Sequence, residues 1–119
     1  MKQPFADLLI SGRKTIELRS WNTRFRGEFL VHASHNPDRK ACIAAGIDTG
    51  RLVNGAIIGR AFLYDVKEYK SREEFLADRD LHLAVDYTNP RYGFMVKSPV
   101  RLDRPIPAKG KLNFFEVDV

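Results

Sequence analysis

The longest strand signal in this 119-residue chain runs from Ala56 to Tyr69, and every other element has to be accommodated around it. A strand of that length bends inside a small domain, and Gly59 is the expected bulge or point of close approach. A chain of this size closes one core, not two. The remaining elements must therefore be short pieces packed on or beside this strand.

Those pieces can be read off in order. Pro4 to Ser11 forms a short helix: Pro4 suits a first helical position, Phe5, Leu8 and Leu9 share a face, and Gly12 suits the left-handed stop. Thr15 to Arg19 alternates as a strand, with Ile16 and Leu18 on one side and Thr15, Glu17 and Arg19 on the other. Lys14 stands at the head of that strand, where it can lean to either face. Asn22 to Gly27 is a loop, and Glu28 to Ser34 a second strand. Asn36-Pro37-Asp38 opens a helix from about Arg39 to Ala45. Ser71-Arg72-Glu73-Glu74 is a capping box at the head of a helix over about Arg72 to Asp78. Asn89-Pro90 marks a turn. Strands follow at Tyr92 to Lys97, at Val100 to Leu102 and at Leu112 to Val119, with Pro105 and Pro107 as a stiff connector before the last. This pattern predicts an α+β domain, a small, partly open β-barrel of about five or six strands with short flanking helices. The whole chain forms one domain.

Charge is distributed unevenly. Between Gly12 and Gly27 there are five basic side chains (Arg13, Lys14, Arg19, Arg24 and Arg26) and one acid, Glu17; the rest of the chain carries 15 basic against 14 acidic residues. The net charge of +5 thus comes almost wholly from one segment, which also holds the sole tryptophan, Trp21. Guanidinium groups beside exposed rings suit a single-stranded nucleic acid, whose phosphates pair with cations and whose bases stack. No apolar run has the length of a membrane span. The single cysteine, Cys42, excludes an internal disulfide and a cysteine-rich zinc site and points to the cytoplasm; in its apolar helical setting it reads as a buried core thiol.

Glu17 and Arg19 lie side by side on one strand face. As a solvated surface pair they would contribute little. On the floor of a cleft with Lys14, Glu17 would accept an amide or amine proton, while Arg19 and Lys14 would bind an anion. Trp21 either lids the core, with Phe25 as a second anchor, or offers a stacking platform. Arg13, Arg24 and Arg26 would rim an electrostatic funnel. Ser34 lies between His32 and His35, but no third group completes a nucleophilic triad, and His32, His35 and Asp38 follow no familiar metal spacing. Tyr64, Tyr69, Tyr87, Tyr92, Phe94, Phe114 and Phe115 read mostly as core or barrel rim, with Tyr92 the one best placed to reach the cleft.

The motif Gly12-x-Lys14-x-x-Glu17-x-Arg19 resembles the signature of ASCH domains, small relatives of the PUA superfamily. The preceding Gln3-Pro4-Phe5-Ala6-x-Leu8-Leu9-x-Ser11-Gly12, the following Trp21-Asn22-Thr23-x-x-x-Gly27 and Leu30-Val31-His32-Ala33-Ser34, the stretch Val53-x-Gly55-Ala56-Ile57-Ile58-Gly59 and the closing Pro105 to Leu112 are similar to the same family in the same order. The resemblance implies a PUA-like barrel with a cleft beside the first helix. It also implies RNA binding, and in some members hydrolysis of N4-acetylcytidine or of RNA. The deacetylating members carry a catalytic lysine that maps onto Lys14 and a threonine nucleophile where this chain has Glu17.

The expected function is therefore binding of RNA or a nucleotide, with DNA as a second candidate. Lys14, Glu17, Arg19, Trp21, Arg24, Arg26, Ser34 and Tyr92 would make the contacts. Neither cofactor, metal nor membrane is expected. The alternative is a hydrolase acting on a modified nucleoside or on RNA, with Lys14 and Glu17 catalytic. A third reading is a protein-interaction module whose basic loop meets an acidic partner.

Overall fold

The computed structural model describes residues 1–107. Helix α1 (Phe5–Ile10) leads into strand β1 (Ile16–Arg19); β2 (Gly27–Ala33), α2 (Arg39–Ala44) and a 3₁₀ turn at Thr49–Arg51 follow. Strand β3 (Ala56–Glu68), α3 (Arg72–Ala77), α4 (Arg79–His82) and β4 (Tyr92–Pro107) complete the described residues. The strands form one antiparallel sheet in the order β1-β4-β3-β2. The first two strands in sequence therefore lie on opposite edges, and the loop between them crosses the end of the sheet.

Local chemistry explains most of the boundaries. Gly12 takes a φ of +84° just beyond α1, the left-handed stop that glycine adopts without strain. The Asp38 carboxylate accepts from the Ala41 amide at the head of α2, and the Ser71 hydroxyl accepts from the Glu74 amide at the head of α3. Each satisfies a first-turn N–H that would otherwise have no partner. Gly59 lies where the β3–β4 register shifts. A Cβ there would come within 2.5 Å of the Val100 carbonyl oxygen and 2.7 Å of the Ile10 side chain, so the close approach of strand, strand and helix depends on its absence.

Sheet and helices bury two separate surfaces. On the inner face α1 supplies Ala6, Leu9 and Ile10 to a core with Phe29, Val31, Ala33, Ile58, Ala61, Leu63, Phe94 and Val96. On the outer face, the β1–β4 half is covered from the β3–β4 connection. Ile16 is buried there, a Cβ on Gly93 would touch both Ile16 and the Tyr69 ring, and Tyr69 meets Phe75 edge-on while Phe75 stacks on His82 at 4.2 Å. The Tyr69 hydroxyl donates to Asp78, which Lys67 also binds. Cys42 is fully buried, and burial pushes its thiol up from the ordinary value.

The α+β class holds, with corrections to the strands. The described residues form an open sheet of four strands; the expected count of five or six included a strand at 112–119, which lies outside the described residues. The separate strands expected at 92–97 and 100–102 are one continuous strand, because Ser98 absorbs the irregularity in a left-handed conformation, φ 53°, and pairing with β3 resumes beyond it. Pro105 and Pro107 are not a connector but part of this strand, with Pro107 opposite Ala56. Proline survives there because β1 pairs only with Tyr92–Met95, leaving the far half of β4 without a β1 ladder to donate to. Among the described residues no helix is long and apolar enough to cross a membrane.

Candidate functional site

The head of β1 is fixed from two sides. The Lys14 amide donates to the Leu8 carbonyl of α1, and the Thr15 amide to the Leu81 carbonyl of α4. Between these anchors the Lys14 side chain turns inward and is only 3% exposed. Its Nζ donates to the His82 carbonyl at 2.9 Å, lies 3.5 Å from Glu17 Oε1 and sits 5.4 Å from the centre of the Phe5 ring. The other carboxylate oxygen of Glu17, Oε2, is 3.1 Å from Arg19 Nη2. One buried carboxylate thus lies between two cations, the inner one enclosed and the outer one, Arg19, 27% exposed along its side chain.

Burial holds the Lys14 ammonium below the ordinary lysine value; the Glu17 charge and hydrogen bond oppose that shift, while Arg19 and Arg91 reinforce it. His82 lies directly behind. Its Nε2 is 2.6 Å from the Phe75 carbonyl, and its Nδ1 accepts from the Ala84 amide. These partners assign the proton to Nε2 and leave the ring neutral. Burial lowers its basicity; the bond to the Phe75 carbonyl and the charge of Asp78 oppose that effect, and the charges of Lys14 and Arg91 add to it. Leu83, next in the chain, takes a φ of 63°, turning the backbone so that the His82 carbonyl is offered to Lys14.

The expected site residues separate into groups. Lys14, Glu17 and Arg19 converge. Trp21 packs edge-on against Phe94 at 5.2 Å and remains 41% exposed, so it is lid and open ring face at once. Phe94 is the cross-strand partner of Glu17, and half-buried Tyr92 that of Arg19; both sit on the strand that carries the site's far wall. Arg24 is exposed on the loop. Arg26 is turned back onto its own loop: it donates to the Thr23 and Phe25 carbonyls and lies 3.8 Å from Asp65. The Ser34 hydroxyl donates to the Met1 carbonyl at the end of the opposite edge strand. Sequence reasoning missed His82 and Phe5. A histidine between Leu81 and Leu83 reads as exposed, yet the two leucines are exposed and the histidine buried; nothing in the local pattern signals that inversion.

No curated protein matches the chain. Its fold is similar to the crystal structure of ASCH from Zymomonas mobilis, with a TM-score of 0.64 at 19% identity over 90% of this chain and 69% of that one. Crystal structures of a tyrosine-to-phenylalanine and a serine-to-alanine mutant of that protein match with TM-scores of 0.63 and 0.62, also at 19% identity over 90% of this chain, and over 71% and 70% of theirs. The ASCH domain family model matches residues 1–101. That span contains the helix, the strand head and the β3–β4 connection that enclose Lys14, and by this match the chain belongs to the ASCH domain family.

Proposed function

We propose that this domain binds RNA or a nucleotide through the Lys14–Glu17–Arg19 array. The observation that carries the reading is the buried carboxylate held between an enclosed lysine and a partly exposed arginine, with half-exposed Trp21 two residues beyond Arg19. Arg19 and Trp21 are the groups a ligand reaches without opening the fold. Arg19, oriented by Glu17, meets a phosphate, and the indole face stacks a base. Glu17 lies one layer deeper and accepts from an exocyclic amine, such as that of cytosine, once a base edge is inserted. Arg24 adds long-range attraction from the loop. Single-stranded RNA binding followed across a salt titration tests the reading: affinity falls steeply with salt, and Arg19→Ala and Arg24→Ala weaken it with a shallower slope. A flat salt dependence, or no binding at low salt, refutes it.

The buried Lys14 amine beside a carboxylate favours a second reading, hydrolysis of a modified nucleoside or of RNA. An amine held below its ordinary value serves as general base or activates a nucleophile, and a carboxylate at 3.5 Å relays the proton. Glu17, standing where the resembling deacetylases have a threonine, removes their nucleophile but not the acid–base pair. Turnover of N4-acetylcytidine or labelled RNA that disappears in both Lys14→Ala and Glu17→Gln would establish this reading over binding alone.

A further inference from the structure

The sheet's outer face is covered over only half its width. The β1–β4 half lies under Tyr69, Phe75 and His82. On β3, Ala61 and Leu63 point into the core, so Arg60, Phe62 and Tyr64 point outward, and all three are exposed, the two rings at 38% and 43%. Lys97 of β4 is the cross-strand partner of Phe62, and its ammonium lies 5.4 Å from the centres of both the Phe62 and the Tyr64 ring. Arg60 is two residues along the same strand, bound at 3.2 Å to Glu28 in a pair with both side chains about half exposed.

We propose that this uncovered half is a second contact surface for a single nucleic-acid strand, with Phe62 and Tyr64 stacking successive bases and Lys97 and Arg60 meeting the phosphates. Two rings at alternate positions of one strand present neighbouring π-faces on the same side of the sheet, an arrangement single-stranded nucleic acids exploit with little regard to base identity. An ammonium already beside both rings needs only a short swing to reach a phosphate between stacked bases. The Arg60–Glu28 pair is exposed and weak, so a phosphate can take over the guanidinium. With the adjoining Arg26–Asp65 pair counted, the cations Arg26, Arg60 and Lys97 outnumber the acids Glu28 and Asp65, which favours a polyanion. A second copy of the chain would instead bring two sets of these cations together. This inference shares its ligand class with the reading above but none of its residues.

The test is fluorescence anisotropy of a labelled ~12-nucleotide oligouridylate, a length on the scale such surfaces occupy, with Trp21 emission recorded in parallel. Phe62→Ala and Tyr64→Ala each weaken binding by roughly tenfold or more, and Lys97→Gln weakens it and lowers the salt slope, while Trp21 quenching at saturation persists. Arg19→Ala removes the Trp21 response and spares the contribution of Phe62 and Tyr64. The two sites therefore fail separately. Unchanged affinity in the Phe62→Ala, Tyr64→Ala double variant overturns the proposal. So does undetectable binding by the wild-type chain. So does self-association of the wild-type chain that the double variant abolishes, because the face then serves a second copy. Should the ring variants unfold, Arg60→Gln with Lys97→Gln decides by the same anisotropy criterion.

Discussion

Replacing Glu17 by alanine leaves Lys14 buried without its counter-charge. The Nζ–Oε1 separation of 3.5 Å corresponds to a gross attraction of roughly 5 kcal/mol at an effective dielectric of about 20. Arg19 is nearer to the carboxylate, but its greater exposure means that solvent screens its share heavily. Stranding one partner of a buried pair costs about 3–5 kcal/mol. At roughly 4 °C per kcal/mol for a domain near this size, the melting temperature falls by about 10–20 °C. Adding Lys14→Met removes the stranded amine while keeping much of its volume. The double variant loses the bond to the His82 carbonyl, about 1 kcal/mol, yet it is more stable than Glu17→Ala alone by roughly 2 kcal/mol.

Denaturant unfolding of the four proteins in this cycle, followed by circular dichroism at neutral pH, gives the coupling directly. Its pH dependence has a defined sign. The folded-state value of Lys14 is lowered from 10.5, so between that lowered value and 10.5 the unfolded chain binds more protons, and stability rises with pH. Glu17→Ala removes the group that opposes the shift, widening that window and steepening the rise, and Lys14→Met abolishes it. A Glu17→Ala variant within about 1 kcal/mol of wild type, or a Lys14→Met cost that simply adds to it, would refute the view of these residues as a coupled buried array.

Three further outcomes follow from the geometry. The folded-state value of His82 is lowered from 6.5, so the neutral ring's stabilisation is present above 6.5 and lost as the pH falls through the lower folded value; the denaturation midpoint of wild type drops over that range, whereas that of His82→Gln starts lower and stays flat. Gly59→Ala forces the β3–β4 backbones apart at Val100 and destabilises by about 1–3 kcal/mol, read as a lower denaturant midpoint; an unchanged midpoint would show that the close approach is not required. Arg26→Ala releases the two carbonyls it binds in its own loop and costs about 1 kcal/mol, while Arg24→Ala leaves the melting temperature within about 1 °C of wild type.

Where a single residue type forces a backbone choice, the sequence is a direct guide. Gly12, the Asp38 and Ser71 caps and Gly59 mark boundaries or contacts that the folded chain keeps, and strand alternation correctly set Glu17 and Arg19 on one face. Less visible is what depends on partners far along the chain. Lys14 stands at the head of a strand in a basic segment and reads as a cleft cation, yet its burial is imposed by α1 and by α4. Arg26 reads as a rim charge, but carbonyls in its own loop take its donors. His82 is hidden for a different reason. Its burial inverts the local hydropathy pattern and is stable only because both ring nitrogens find backbone partners.

Lys14 is held by the His82 main chain, not by that residue's side chain, across 68 positions of sequence. Any amino acid offers a carbonyl. An alanine scan through α4 would therefore pass over the bond so long as the turn keeps its course, whereas insertion of one residue there would carry the oxygen away from the amine without deleting any side chain. The β3–β4 connection therefore acts on the lysine through the course of its backbone, which the Phe75–His82 stack and the two ring-nitrogen bonds of His82 hold in place. A change in the course of this connection would release the amine from the carbonyl even with every strand unchanged.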